Sequence, residues 1–238
     1  MARQFTAQTD VVPPRTFFNA MVEEKYKSNI SKRPFCLEKG FLFTEEPFMR
    51  YETSISSVVE KHGWKIFCLH TKDILTKLVH EFYAHIASPK NAFIYIREVS
   101  VLFDEDNINA QYGLSDVQDM HSQLATTITP KGLTQVLIWY HFLKTHLIHS
   151  THNSTVSKER MLLPHSIMMG SRINGGNIIF NEVHHSTQKN ARSLNFPSLI
   201  TALYQCINVQ VQPREDITPN KGAITRVIVA KISVEVLP

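Results

Sequence analysis

The chain has 238 residues, of which 43% are hydrophobic and 19% are charged, a composition typical of a soluble globular protein with one large or two small domains. Three widely spaced cysteines, Cys36, Cys68 and Cys206, exclude a disulfide framework and a cysteine-rich zinc site. No apolar signal region opens the chain, and no run reaches the roughly 18 apolar residues of a membrane span. We therefore expect an intracellular protein, of the nucleus or the cytoplasm, with no membrane partner.

The positive charge is concentrated toward the C-terminus. The net charge is +4, and residues 131–238 hold 11 Lys and Arg against 5 Asp and Glu. A basic half is compatible with RNA or DNA as a partner. The candidate nucleic-acid contacts are Arg160, Arg172, Lys189 and Arg192. The alternative is a solvated basic face, because the excess is scattered and contains no long basic run.

The first quarter of the chain predicts a lead-in followed by a helix. Residues 1–50 alternate short apolar pieces with charged ones, which indicates a partly ordered segment with a short helix over 17–27. In "TSISSVVEKHGW" the apolar positions share one helical face, and Gly63 ends the helix as a C-terminal glycine would.

The clearest helix of the chain begins after Asp73. Apolar residues recur at helical spacing from Ile74 to Ile86, a stretch that includes "LVHEFYAHI". "AFIYIREVSVLF" then has strand-like composition and predicts one small β-hairpin over about 93–103. Asp104 is the predicted N-cap of the next helix, and Gly113 its end.

Helices dominate the remainder of the predicted fold. Trp139, Tyr140 and Phe142 are expected in a core helix, and "GGNIIFNEVHHS" and "FPSLITALYQCINV" predict two more. The predicted fold class is mainly α with one small hairpin. The predicted parts are a lead-in (1–50), a helical domain (51–212) and a tail (213–238), whose "ITRVIVAKISVEV" predicts either a strand or an unpaired extension.

The histidine pattern in "LVHEFYAHI" resembles a zinc-protease helix but has the wrong spacing. Such a helix needs His-Glu-x-x-His, so that both histidines point to one metal. His80 and His85 are five residues apart, which separates them by about 140° on a helix. We expect His80 to lie opposite the apolar stripe and His85 near its edge, with no metal at Glu81 or either histidine.

A second histidine cluster leaves a metal-dependent enzyme open as an alternative. His141, His146, His149 and His152 follow one another closely, and neighbouring members could share a metal ion. No carboxylate lies near them in the sequence, and a solvated helix end explains the cluster as well. "NGGN" at 174–177 lacks the strand–loop–helix context of a phosphate site. The sequence thus predicts no cofactor and no catalytic residue, although enzymatic activity is left open.

Six phrases, in this order, resemble the putative plant transposon protein domain, which is encoded by plant long-terminal-repeat retrotransposons such as Athila-like elements. They are "SKRPFCLEKGF" (31–41), "VVEKHGWKIFC" (58–68), "LVHEFYAHI" (78–86), "FIYIREVSVLFDEDNINAQYGL" (93–114), "HNSTVSKERMLLPHSIMMG" (152–170) and "LNFPSLITALYQCINV" (194–209). The resemblance covers about residues 30–212 and makes "LVHEFYAHI" a signature helix of the family.

The resemblance implies an element-encoded origin and brings no catalytic residues. Where the family usually has a glycine between the two strands, this chain has Glu98, which puts a tight turn with positive φ in doubt. We expect a non-enzymatic module for assembly or nucleic-acid association, with self-association open. The alternative is a protein-interaction domain without affinity for nucleic acid.

Overall fold

Local sequence signals set most element boundaries in the computed structural model, which describes residues 16–41, 53–69, 73–86, 93–114, 139–143, 164, 167–168, 173–188, 191–209, 211 and 215–220. The main helices are α1 (Ala20–Ser28), α2 (Thr53–His62), α3 (Thr76–His85), α4 (Glu105–Tyr112), α5 (Gly175–Ser186) and α6 (Pro197–Cys206). The strands are β1 (Ile74–Leu75), β2 (Phe93–Ile96), β3 (Val99–Leu102) and β4 (Ile217–Thr218). The described chain is mainly α-helical with short antiparallel strands, and no helix in it is long and apolar enough to cross a membrane.

Side-chain caps explain where α1 and α4 begin. Oδ1 of Asn19 accepts the N–H of Val22 at 3.0 Å, and Oδ1 of Asp104 accepts the N–H of Asn107 at 2.8 Å. Both bonds satisfy amides that have no partner inside the helix. Gly113 ends α4 at a φ of 65°, where glycine has no steric cost. The predicted cap and end of α4 are confirmed.

The hairpin of β2 and β3 closes through a two-residue turn without glycine. Ile96 lies opposite Val99, and the turn residues Arg97 and Glu98 have φ of 47° and 70°. Such turns favour Asn-Gly, since other residues are strained at positive φ by about 1–2 kcal/mol each. The doubt that Glu98 raised about a tight turn of positive φ was wrong. The turn persists because Arg97 is held from two sides, as described below.

Helix α3 lies at the centre of the core. Every residue from Leu78 to Ala84 is buried, and the helix packs against α1, α6 and β2. His80 is only 8% exposed, which corrects the prediction that it lies opposite the buried face. A helix enclosed by neighbours on all sides has no outward face, and the apolar stripe alone did not reveal the elements that cover its other side.

Helices α4 and α5 approach each other closely because Gly176 has no side chain. A Cβ at this position would lie 2.3 Å from the carbonyl oxygen of Glu105 and 2.6 Å from Oδ1 of Asn109. That same Oδ1 accepts the N–H of Gly176 at 2.8 Å. Oδ1 of Asn174 caps α5 by accepting the N–H of Asn177 at 3.0 Å. The "NGGN" stretch therefore starts a helix and packs it against another.

Aromatic rings fill the core between the turn after α2 and the helical residues 139–143. Trp64 meets Phe67 and Trp139 with ring centroids 5.4 and 6.3 Å apart, and Phe142 meets Phe67 and Trp139 at 5.8 and 5.6 Å. All four contacts are edge-to-face, the favourable geometry for aromatic pairs. The core positions predicted for Trp139 and Phe142 are confirmed, whereas Tyr140 is half-buried.

Both ends of the described chain pack onto the helical part. Ile30 and Phe41, from the N-terminal segment, are each 1% exposed. Strand β4 pairs antiparallel with β1, so that Thr218 lies opposite Ile74. The predicted divisions at 50/51 and 212/213 stay predictions, and the predicted tail strand lies outside the described residues.

Candidate functional site

The glutamate of "LVHEFYAHI" is one of three charged side chains enclosed in the core. Glu81 on α3 accepts two hydrogen bonds from Arg97, from Nε at 2.7 Å and from Nη2 at 3.0 Å. Glu215, just before β4, pairs with the same guanidinium, and its Oε2 lies 3.3 Å from Nη1. The side chains of Arg97, Glu81 and Glu215 are 2%, 0% and 2% exposed. We call these three residues the Arg97 cluster; it joins the hairpin turn, α3 and the C-terminal segment.

The electrostatics of the Arg97 cluster suit a structural clamp. Burial raises the pKa of Glu81, and the hydrogen bond and positive charge of Arg97 oppose that rise. Burial lowers the pKa of Arg97, but its bonds to Glu215 and Glu81 outweigh this and hold the pKa above the usual value. Removing one partner of such a buried pair is strongly destabilising, because it leaves a buried charge uncompensated. Water does not reach these groups, so they do not form an acid–base site open to a substrate.

The two histidines of "LVHEFYAHI" form hydrogen bonds with backbone groups. Nε2 of His80 donates to the carbonyl oxygen of Arg33 at 3.1 Å, and its ring stacks on Phe35. Nδ1 of His85 donates to a carbonyl one turn earlier in α3 at 2.7 Å, and its Nε2 accepts the N–H of Phe18 at 3.3 Å. Burial lowers the pKa of both rings, which favours the neutral form. Within the described residues, no group of three metal-ligating side chains comes together.

Glu38 is a further buried carboxylate, outside the Arg97 cluster, and the sequence reasoning missed it. Its side chain caps α6 by accepting the N–H of Ser198 at 3.1 Å and that of Leu199 at 3.1 Å. An acidic group is stabilising at a helix N-terminus, where amides lack internal partners. Burial raises the pKa of Glu38 although these bonds oppose the rise. No local signal could have revealed this role, since 160 residues separate Glu38 from Ser198.

The predicted nucleic-acid residue Arg192 lies beside two basic residues of the N-terminal segment. A parallel bridge joins Phe35 to Leu194, so Arg33 and Arg192 each stand two residues before a bridged position, and Lys32 precedes Arg33 at the end of a short 3-10 helix. Lys32 and Arg192 are exposed, and Arg33 is half-buried. We call Lys32, Arg33 and Arg192 the basic edge. The sequence pattern identified one of its three members.

The surroundings of the basic edge favour an anionic partner. Neither residues 28–37 nor residues 183–196 contain an Asp or Glu. Arg33 is partly engaged within the fold, since its Nη1 donates to the carbonyl oxygen of Ser186 at 2.9 Å, at the negative end of the α5 dipole. The predicted contacts Arg160, Arg172 and Lys189 lie outside the described residues.

The structure describes one residue of the second histidine cluster. His141 is half-buried on the helical segment 139–143. His146, His149 and His152 lie outside the described residues. The metal-dependent alternative therefore stays a prediction.

A small pocket lies between α4, α6 and the turn after α2. Its volume is about 210 Å³, and its lining includes Leu69, Leu199 and the polar side chains of Asp73 and Gln111. Pockets that hold drug-sized ligands measure about 300–1,000 Å³, so this one suits only a small group.

The comparisons with known proteins give a family and no closer relative. A family model described as a putative plant retrotransposon-related domain matches residues 60–210. No curated protein and no solved structure matches the chain. The matched range contains Glu81, Arg97 and Arg192, whereas Glu38 and Glu215 lie outside it. The match confirms the resemblance to retrotransposon-encoded proteins and covers more than half of the chain, which therefore belongs to the putative plant retrotransposon-related domain family.

Proposed function

We propose that this retrotransposon-derived protein is a non-enzymatic module that associates with nucleic acid through the basic edge. The observation that carries the proposal is the bridge between Phe35 and Leu194, which joins the segment of Lys32 and Arg33 to that of Arg192, with no acidic residue in residues 28–37 or 183–196. Lys and Arg attract phosphates and gain affinity by releasing the counterions that surround a nucleic acid. The contacts predicted from the sequence, Arg160, Arg172 and Lys189, belong to the same proposal.

The enclosure of the titratable groups supports a non-enzymatic role. Perturbed pKa values often mark catalytic sites, but a catalytic group must also meet a substrate. Glu81 and Glu38 have raised pKa values, and both are 0% exposed and hydrogen-bonded to partners within the fold. Their shifts follow from burial in a packed core.

An exposed apolar patch favours a protein-interaction domain as the second candidate. Phe18 and Met21 are 61% and 78% exposed, and Phe93 lies opposite Leu102 on the hairpin with exposures of 61% and 38%. Tyr95 connects the two halves, since its ring centroid lies 5.5 Å from that of Phe18. Contiguous exposed patches of this kind often mark interfaces.

The test is binding of the full chain to a fluorescent single-stranded RNA from about 50 to about 300 mM salt. Binding through the basic edge weakens steeply along this series. The double variant Lys32→Gln/Arg192→Gln should reduce the slope of log affinity against log salt by about one to two. The matched control is Lys61→Gln/Lys65→Gln, which removes two exposed charges that are not members of the basic edge and should leave the slope unchanged.

The two candidates predict different outcomes of the same series. No RNA binding by the wild-type chain at low salt would refute the nucleic-acid proposal. Equal slopes for the basic-edge variant and its control would refute the basic edge as the contact. The protein-interaction candidate instead predicts that Phe18→Ser/Phe93→Ser abolishes capture of a partner that the basic-edge variant still captures.

A further inference from the structure

The small pocket between α4, α6 and the turn after α2 combines apolar walls with a carboxylate. We call it the Asp73 pocket. Leu69, Leu199 and Ala202 form apolar parts of its wall, and Asp73 lines it beside them. Of the lining residues that the structure describes, Asp73 alone is charged. Sites for small ligands are commonly built in this way, with apolar walls that bind and a few polar groups that fix the orientation.

Contacts within the fold hold the walls of the Asp73 pocket in place. Oγ1 of Thr201, a lining residue, accepts the N–H of Leu75 at 3.2 Å and donates to the carbonyl oxygen of Pro197 at 2.9 Å. The ring of Tyr112, on the α4 side, packs edge-to-face on Phe67 with centroids 5.2 Å apart. Because the cavity is preformed, a ligand has little protein to order when it binds.

The polar groups at the rim of the pocket favour a cation. Asp73 is exposed, and within the described part of the chain it forms no ion pair. Gln111 also lines the pocket, and its Oε1 lies 3.6 Å from the thiol of Cys206. A thiol is a weak donor, and an amide oxygen has two lone pairs, so this oxygen can accept a further hydrogen bond. A carboxylate accepts hydrogen bonds only, and its charge selects a positive ligand over a neutral or negative one.

The size of the pocket limits the ligand to a short chain with a compact head. Its volume is about 210 Å³, below the range of about 300–1,000 Å³ for drug-sized ligands. An alkylammonium group has a narrow apolar stem and a head with three N–H donors. Such groups bury the stem along apolar surface and keep the head near water. The exposed position of Asp73 at the rim suits this arrangement.

We propose that the Asp73 pocket binds a primary alkylammonium group. The carbon stem lies against Leu69, Leu199 and Ala202, and the ammonium donates to the carboxylate of Asp73 and to Oε1 of Gln111. A free amine and a lysine side chain of another protein share this chemistry. The pocket has no residue in common with the basic edge, so the proposal does not depend on nucleic-acid binding.

The test is a titration of the full chain with n-butylammonium at low salt, followed by NMR chemical shifts. A ligand of this size should bind with a dissociation constant on the order of 10 mM. The alcohol n-butanol has the same stem without the charge and should bind about three- to fivefold more weakly, as an exposed ion pair contributes little more than this. Butyrate, with the opposite charge, should bind more weakly than n-butanol.

A charge variant tests the role of Asp73. Asp73→Asn should weaken the binding of n-butylammonium about three- to fivefold and leave that of n-butanol unchanged. The matched control is Asp106→Asn, which removes an exposed charge from the first turn of α4 and should change neither affinity. Equal binding of the amine and the alcohol, or an equal effect of the two variants, would overturn the proposal.

A second variant tests the cavity itself. Ala202→Leu fills the pocket from α6 and should abolish the binding of both n-butylammonium and n-butanol. The matched control is Ala110→Leu, at an exposed position of α4 outside the described lining, which should leave both affinities unchanged. Circular dichroism establishes that the variants are folded; if Ala202→Leu is not, the smaller change Ala202→Val replaces it. Binding that survives in the folded Ala202 variant would place the amine elsewhere and overturn the proposal.

A capped lysine, Nα-acetyl-lysine methylamide, distinguishes the two sources of the amine. If it binds with the same dependence on Asp73 as n-butylammonium, the pocket accepts the side chain of a lysine within a protein. If n-butylammonium binds and the capped lysine does not, the ligand is a free amine, because the peptide backbone does not fit at the mouth. Either result supports the site, and failure of both probes to bind would overturn it.

Discussion

At the scale of single residues, Glu98 carries backbone strain that glycine would relieve. Its φ of 70° lies in the left-handed region, where a side chain costs about 1–2 kcal/mol. Glycine removes this cost, although its greater freedom in the unfolded chain takes back part of the gain. We expect Glu98→Gly to raise the free energy of unfolding by about 0.5–1 kcal/mol in urea denaturation. Ser100→Gly, in extended β3, is the control and should lower it; a loss in both variants would contradict the argument.

Glu38 makes stability depend on pH with a definite sign. Burial raises its pKa above the ordinary value of 4.5, so the folded state binds this proton more readily than the unfolded state. The stability that this site contributes is fully present below about pH 4.5 and is lost as pH rises through the raised pKa. Relative to Glu38→Gln, which does not titrate, the wild type should lose free energy of unfolding as the pH rises above the ordinary value of 4.5 and through the raised pKa. Urea titrations in which the wild type gains free energy of unfolding relative to Glu38→Gln as the pH rises would refute this prediction.

At the scale of elements, the contact between α4 and α5 depends on Gly176. An added Cβ would meet backbone at 2.3 Å, and backbone cannot move aside without separating the helices. We expect Gly176→Ala to lower the free energy of unfolding by about 2–4 kcal/mol, measured by urea denaturation. Gly175→Ala is the matched control, because its Cβ meets the end of the Leu114 side chain at 2.7 Å, which can rotate away. Equal losses in the two variants would contradict the role assigned to Gly176.

The elements that could be predicted are those whose signals are local. Asp104 and Gly113 mark the ends of α4 within a few residues, and Pro197 begins α6 as its fixed φ favours. The contributions of Gly176 and Glu38 and the pairing of β4 with β1 were not predictable. Each depends on a contact between residues far apart in sequence, which periodicity does not record. The burial of His80 was mispredicted for the same reason.

At the scale of the whole molecule, three of the cationic side chains are engaged inside the fold. Nζ of Lys25 donates to the carbonyl oxygens of Tyr83 and Ile86 at 3.1 and 2.8 Å, at the end of α3. Arg33 does the same for α5, and Arg97 is enclosed. Glu38, Glu81 and Glu215 are enclosed as well and balance these three cations, so the formal charge of +4 remains the measure of what a polyanion meets. We expect a salt slope corresponding to only about two to four phosphates in the RNA titration; a slope near ten would require a much larger contact surface.

The folding unit extends beyond the residues that match the family. Residues 60–210 include Arg97 and the N-terminus of α6, but the groups that satisfy them, Glu215 and Glu38, lie outside that range. A chain cut to 60–210 leaves Arg97 with one carboxylate and α6 without its cap, and it loses the buried side chains of the N-terminal segment. We expect residues 16–220 to unfold cooperatively on heating and residues 60–210 to lack fixed tertiary structure, as near-ultraviolet circular dichroism and amide exchange would show. Adding back residues 211–220 alone should not restore cooperative unfolding, because the cap of α6 comes from the other end of the chain. Cooperative unfolding of residues 60–210 alone would mean that the contacts of Glu38 and Glu215 are not needed for folding, and that a smaller core is stable without them.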